Sequence, residues 1–159
     1  MQFFTIGVYN STEAEFFSKL TENNIDTFCD IRQRRGVRGA KYAFVNSKRL
    51  QYKLGQLGIY YLHLTELAPT TEIRELQKNA DKGKGELKRD RIGLGEIFKE
   101  AYRSQILEVA DFDTIFQRLE KLGAKKIAFF CVEEAPEACH RSLVLQRINL
   151  EYNFKITNL

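Results

Sequence analysis

Residues 126–150 read KIAFFCVEEAPEACHRSLVLQRINL, and this stretch decides the fold. Lys126 to Val132 is an almost continuous apolar run of strand length, as expected for a strand covered on both faces. A polar connection containing Pro136 follows, and a helix is expected over roughly Cys139 to Leu150. A buried strand that feeds a helix belongs to a parallel sheet, because parallel neighbours need crossover connections.

The same rhythm extends outward. Phe3 to Ile6 reads as a buried strand ending at Gly7. Ser11 and Thr12 are helix caps, with Glu15 completing a capping box and Phe16, Phe17 and Leu20 forming the apolar stripe. Asn23 and Asn24 end that helix, and Ile25 to Ile31 is a second strand. Asn46 or Ser47 starts a helix through about Leu57, and Gly58 leads into a third strand, Ile59 to Leu64. A short polar helix is expected near Thr71 to Asn79, then helices over about Glu96 to Val109 and Phe112 to Leu122, the latter capped by Asp111 and ended by Gly123. Phe154 to Thr157 suits a fifth strand. The expectation is α/β: one domain over residues 1–159, a mostly parallel sheet of about five strands, and helices on both faces. The charged, glycine-containing segment at about 68–95 is expected to be a mobile excursion able to act as a lid.

Composition narrows the class of molecule. A chain of 159 residues with 43% hydrophobic content and 2 prolines is large enough for one ordinary core and excludes a disordered or collagenous chain. The longest apolar run, Ile127 to Val132, is far short of the roughly 18 residues of a membrane span, and Met1 to Asn10 lacks the pattern of an export signal, so a cytoplasmic location is expected. Three cysteines without a C-x-x-C pair argue for reduced thiols. Net charge is +4, but Ile31 to Thr65 holds eight cations and no acid, leaving −4 for the rest. Such segregation attracts phosphates and other polyanions.

In parallel sheets ligands collect outside the carboxyl ends of the strands, which directs attention to the residues just after each strand. Asp30 and Arg32, two apart at a strand end, either form a structural ion pair or divide into a carboxylate base and a bidentate anion binder. Glu133 is a second carboxylate. Arg141, near a helix start, calls for an anion beside it, either Glu133 or a ligand phosphate. Cys139 reads as a buried thiol or, with His140, as an activated nucleophile, although adjacent helical residues point about 100° apart. Cys131, Cys139 and His140 match no strong zinc spacing and would need a fourth ligand such as His63 or Cys29, so no metal is expected. His63 divides between a satisfied histidine and the site. Arg35, Arg38 and Lys41 belong to the basic segment; Tyr42, Phe44 and Tyr52 interleave with it as stacking surfaces, and Tyr9 follows the first strand.

Taken together, Thr5-Ile6-Gly7, Asp30-Ile31-Arg32, Gly58 to Leu64, and Cys131-x-Glu133 with Cys139-His140-Arg141 resemble the family called domain of unknown function 488, over essentially the whole chain. The resemblance implies a compact prokaryotic α/β domain and marks Asp30, Arg32, Cys131, Glu133, Cys139, His140 and Arg141 as motif residues without roles. The family's commoner proline and serine after the Asp-x-Arg motif are replaced here by Gln33 to Gly39. The functional expectation is an enzyme that cleaves or hydrolyses a phosphate-bearing substrate, nucleic acid or nucleotide. In that reading Asp30, Glu133, His140 and Cys139 do chemistry, while Arg32, Arg141, Arg35, Arg38, Lys41, Tyr9 and His63 bind substrate. The alternatives are a non-catalytic DNA- or RNA-binding module and a Cys139-dependent transferase or redox protein. No cofactor is named by these residues, and no Walker, G-x-G-x-x-G or H-E-x-x-H motif occurs.

Overall fold

The computed structural model describes residues 1–159, the side chain of Arg89 apart. Five runs of aliphatic and aromatic residues become strands: β1 (Gln2–Ile6), β2 (Thr27–Asp30), β3 (Tyr60–His63), β4 (Lys126–Phe130) and β5 (Ile156–Asn158). They form one sheet in the order β3-β2-β4-β1-β5, and every pairing is parallel. Between them lie α1 (Glu13–Glu22), α2 (Ser47–Gln56), α3 (Thr71–Lys84), α4 (Glu96–Tyr102), α5 (Phe112–Lys121) and α6 (His140–Tyr152). The fold is a single α/β domain.

Alternation along the strands explains the layers. Phe4, Ile6, Phe28, Ala128 and Phe130 point to one face, where Phe16, Phe17 and Leu20 of α1 and Leu50 and Leu54 of α2 cover them. Phe3, Cys29, Ile127 and Phe129 point to the other, beneath Ile73, Phe98, Ile115, Leu119 and Val144 from α3 to α6. The chain thus runs from β1 to β3 with helices on one face and returns through β4 to β5 with helices on the other, as right-handed crossovers require. Loops from neighbouring strands β1 and β4 therefore leave toward opposite faces and open a crevice at the carboxyl edge.

Local chemistry sets the ends. Thr12 and Glu15 form the reciprocal capping box at α1, and Asp111 caps α5 by accepting from Thr114 N. The helix expected through Val109 instead ends as α4 at Tyr102 and continues as a π-helical turn, Arg103–Leu107. The polar helix in the 68–95 segment is longer than expected, running to Lys84 and closed by Gly85 in the left-handed conformation. No helix is long and apolar enough to cross a membrane, among the described residues.

Gly55 lies inside α2, and a Cβ there would meet nothing within 4 Å. Gly55→Ala is therefore expected to stabilise the fold by about 0.5–1 kcal/mol, read by thermal denaturation. A loss of stability would contradict a helical backbone at that position.

Candidate functional site

The crevice is a cleft of about 720 Å³. Tyr9 comes from the β1–α1 loop, Arg32, Arg34, Arg38 and Tyr42 from the β2–α2 loop, and Arg74, Gln77, Lys78 and Asp81 from α3. Lys88 and Arg91 follow, and Cys131, Glu133 and His140 close the floor. Two loop contacts shape it: Val8 N and Tyr9 N both donate to Val132 O, at 3.1 and 3.0 Å. Gly7 is required at this crossing, because a Cβ would stand 2.0 Å from Glu133 O.

At the floor, Glu133 is buried yet surrounded by cations. Its Oε1 accepts from Arg91 Nη2 at 2.8 Å and lies 3.3 Å from Lys88 Nζ. Burial pushes the carboxyl up, but Lys88, Arg91 and His140 outweigh it and hold Glu133 at about 2. Arg91 also binds Asp81 Oδ2 at 2.9 Å and Ala138 O at 3.1 Å, and Gln77 joins Asp81 to Gly95 N. The 68–95 segment is thereby tied to the β4–α6 loop by Arg91, by Lys88 against Glu133 and by Leu94 N donating to Glu137 O at 3.2 Å.

His140 opens α6, and Tyr102 packs edge-on against its ring at 5.3 Å. Its Nε2 is 3.0 Å from Ile31 O; a carbonyl only accepts, so Nε2 donates and Nδ1 faces two sulfurs, Cys139 Sγ at 3.7 Å and Cys131 Sγ at 3.9 Å. Burial lowers the His140 pKa, and the neighbouring Cys131 and Glu133 raise it by more. Cys131 donates to Glu133 Oε2 at 3.2 Å, and its thiol is pushed well up, first by its bond with Cys139 and then by burial. The objection that adjacent helical residues diverge does not apply to Cys139, which is the extended cap residue before the helix.

The structure divides the expected site residues. Glu133, His140, Arg32, Arg38 and Tyr9 line the cleft; Asp30, Cys139, Arg35, Lys41, His63 and Arg141 do not. Asp30 and Arg32 form a bidentate buried pair, Nε to Oδ1 at 2.9 Å and Nη2 to Oδ2 at 2.7 Å, and Tyr61 Oη donates to the same carboxylate at 2.8 Å. Arg35 also bonds Tyr61, Lys41 lies over the Tyr42 ring at a separate cavity, and His63 donates to Arg32 O at 2.9 Å. For Arg141 the expected anion is replaced by two carbonyl oxygens: Nη1 donates to Glu133 O at 2.5 Å and Nη2 to Glu134 O at 2.6 Å, with the residue 1% exposed. It is a clamp on the loop. Of the aromatics, Tyr42 stands beside Tyr9 at the cleft, ring centroids 5.2 Å apart, whereas Phe44 is core and Tyr52 lies exposed on α2.

Sequence reasoning missed Arg74, Lys78, Lys88 and Arg91. The i, i+3, i+4, i+7 spacing of Arg74, Gln77, Lys78 and Asp81 was a usable signal for one polar face of α3. Nothing local tied that helix to Glu133.

Residues 12–148 match the family model described as domain of unknown function DUF488. The chain belongs to the DUF488 family. No curated protein and no solved structure matches it. Within this DUF488 chain the motif residues separate into two groups: Cys131, Glu133 and His140 at the cleft floor, and Asp30, Cys139 and Arg141 buried behind it, while Arg32 both lines the cleft and pairs with Asp30.

Proposed function

We propose that this DUF488 chain is an enzyme that binds a phosphate-bearing substrate of nucleotide size in the cleft and cleaves it at the floor. One observation carries the reading: seven cations, Arg32, Arg34, Arg38, Arg74, Lys78, Lys88 and Arg91, line a concave volume of about 720 Å³ against three acids. Two of those acids are already bound to Arg91, and the third, Glu75, pairs with Lys78. Arg32 pairs with Asp30 behind the lining and Lys88 with Glu133, so the surplus rests on Arg34, Arg38 and Arg74, which form no ion pair among the described residues, while Arg32 Nη1 has no hydrogen-bond partner among them. Planar guanidiniums bind two phosphate oxygens at once, and the paired rings of Tyr9 and Tyr42 suit a base. A nucleotide, or one end of a DNA or RNA strand, fills a concavity of this size.

The chemistry belongs to the floor. Glu133 stays an anion at neutral pH, so it orients a polar group or water; His140 is the proton-handling group, beside the Cys131 thiol. Asp30, saturated by Arg32 and Tyr61, takes no part. Three buried free thiols fit a reducing cytoplasm.

The test measures binding of nucleoside mono- and diphosphates and a short single-stranded oligonucleotide against salt. Arg34→Gln with Arg38→Gln is expected to weaken oligonucleotide binding about tenfold or more and to reduce the salt slope by roughly one per cation removed. Equal affinity for the variant would overturn the phosphate assignment. Binding with no turnover by the native chain would remove the enzyme and leave a binding module.

A further inference from the structure

We infer that Cys131, Cys139 and His140 form a binding site for a zinc-class divalent metal ion at the floor of the cleft. Their donor atoms all lie within 4.8 Å of one another, and all three residues are buried. The inference needs no substrate; in the metal-bound chain His140 is a ligand rather than the proton-handling group, and Glu133 is left to orient water at the floor.

Three observations point the same way. The first is spacing. With metal–sulfur bonds of about 2.3 Å and metal–nitrogen bonds of about 2.0–2.1 Å, a sulfur and a nitrogen ligand in a tetrahedron stand about 3.5 Å apart. His140 Nδ1 is 3.7 Å from Cys139 Sγ and 3.9 Å from Cys131 Sγ, so a shift of a few tenths of an ångström closes both edges. The second is the orientation of the imidazole. Ligating histidines donate their other ring N–H to a carbonyl or carboxylate, which fixes the ring and the tautomer. His140 Nε2 is held by Ile31 O at 3.0 Å and the ring is braced by Tyr102, leaving Nδ1 as the ligand atom toward both thiols. The third is access. Cys131 and His140 line the cleft, so an ion has an entry and a fourth position on the open side, as in metal sites with three protein ligands and an exchangeable one.

Charge does not oppose the bound state. Each thiol gives its proton to solvent as its sulfur bonds the metal, so two protons leave as one divalent cation enters. The net charge under the cationic rim is unchanged; Cys131 gives up the hydrogen bond that it donates to Glu133, and Glu133 keeps its pairs with Arg91 and Lys88, which face the added thiolate charge. Two thiolates and an imidazole select zinc-class ions over magnesium or calcium.

The sequence hid this site because the ligand spacing is Cys-x7-Cys-His. The turn Pro136–Ala138 doubles the chain back, so that the end of a strand and the cap of the next helix meet.

The full reduced chain, stripped with a chelator, is titrated with zinc against a chromophoric competitor and separately with cobalt(II). The expected result is one metal per chain, with thiolate-to-cobalt charge transfer and tetrahedral d–d absorption. Bound zinc should protect Cys131 and Cys139 from alkylation. Cys139→Ser should weaken binding by more than the roughly 10–100-fold that loss of an outer-sphere partner causes, while Cys29→Ser leaves it unchanged. No metal bound by the folded native chain, a cobalt spectrum lacking sulfur ligation, or a Cys131–Cys139 disulfide in reduced preparations would each overturn the site. If the serine variant fails to fold, the native cobalt spectrum decides alone. Metal bound by a native chain that binds no nucleotide would sink the phosphate reading without touching this one.

Discussion

Asp30→Asn is expected to remove about 3–5 kcal/mol of stability, a fall of roughly 10 °C or more in melting temperature for a domain of this size. Asp30 is 0% exposed and Arg32 is 3% exposed, so their pairing takes place away from water. The amide keeps the shape and can still accept from Tyr61 and one guanidinium nitrogen. What it removes is the charge, leaving a cation over the Phe130 ring, 4.6 Å from its centroid, without a counter-ion. A stranded carboxylate can shed its charge by taking up a proton, but a guanidinium has no such exit. Arg32→Met should therefore cost less than Asp30→Asn. The double variant should lose much less than the two single losses added, because the isolated buried charge is gone. Denaturant melts of the four chains test this; additive losses would mean that the pair is not coupled.

Gly7→Ala carries the second large effect. A Cβ at Gly7 would stand 2.0 Å from Glu133 O, 2.9 Å from its carbonyl carbon and 3.1 Å from Glu134 Cα. All are backbone atoms, so no side chain can rotate out of the way. Moving the Glu133 carbonyl also disturbs the hydrogen bond that it accepts from Arg141. The expected loss is about 3 kcal/mol, at the upper end for overpacking, together with loss of ligand binding in the cleft, since Cys131 and Glu133 move with the loop. Stability equal to the native chain would show that the two loops do not approach this closely.

The sheet was readable because buried parallel strands are written as short apolar runs punctuated by caps. Phe3 to Ile6, Lys126 to Val132 and the Thr12–Glu15 box needed no partner to be seen. The insertion of β4 between β1 and β2 was not readable, since β4 is apolar on both faces and would suit any interior position. Arg141 shows a different limit. The electrostatic argument for a negative partner was physically sound, and two carbonyl dipoles satisfy it as well as an anion would. The pairing of Asp30 with Arg32 is one reading of their spacing; its burial, which removes Asp30 from the cleft, depends on Val45 and Tyr61 arriving from other elements. Arg91 lay beyond reach because its three partners, Asp81, Glu133 and Ala138, converge only once the cleft is built.

The order of strands also governs when the molecule can form. β1 pairs only with β4 and β5, so Phe3 finds Ile127 and Ile156 across nearly the whole length of the polypeptide. On the ribosome, β1 emerges before either of its neighbours, and its apolar residues wait until β4 and β5 have been made. Long-range pairing of this kind slows folding and exposes nascent chains to self-association. Chains truncated before Lys126 lack the middle of the sheet and are expected to precipitate rather than to persist as a smaller folded unit.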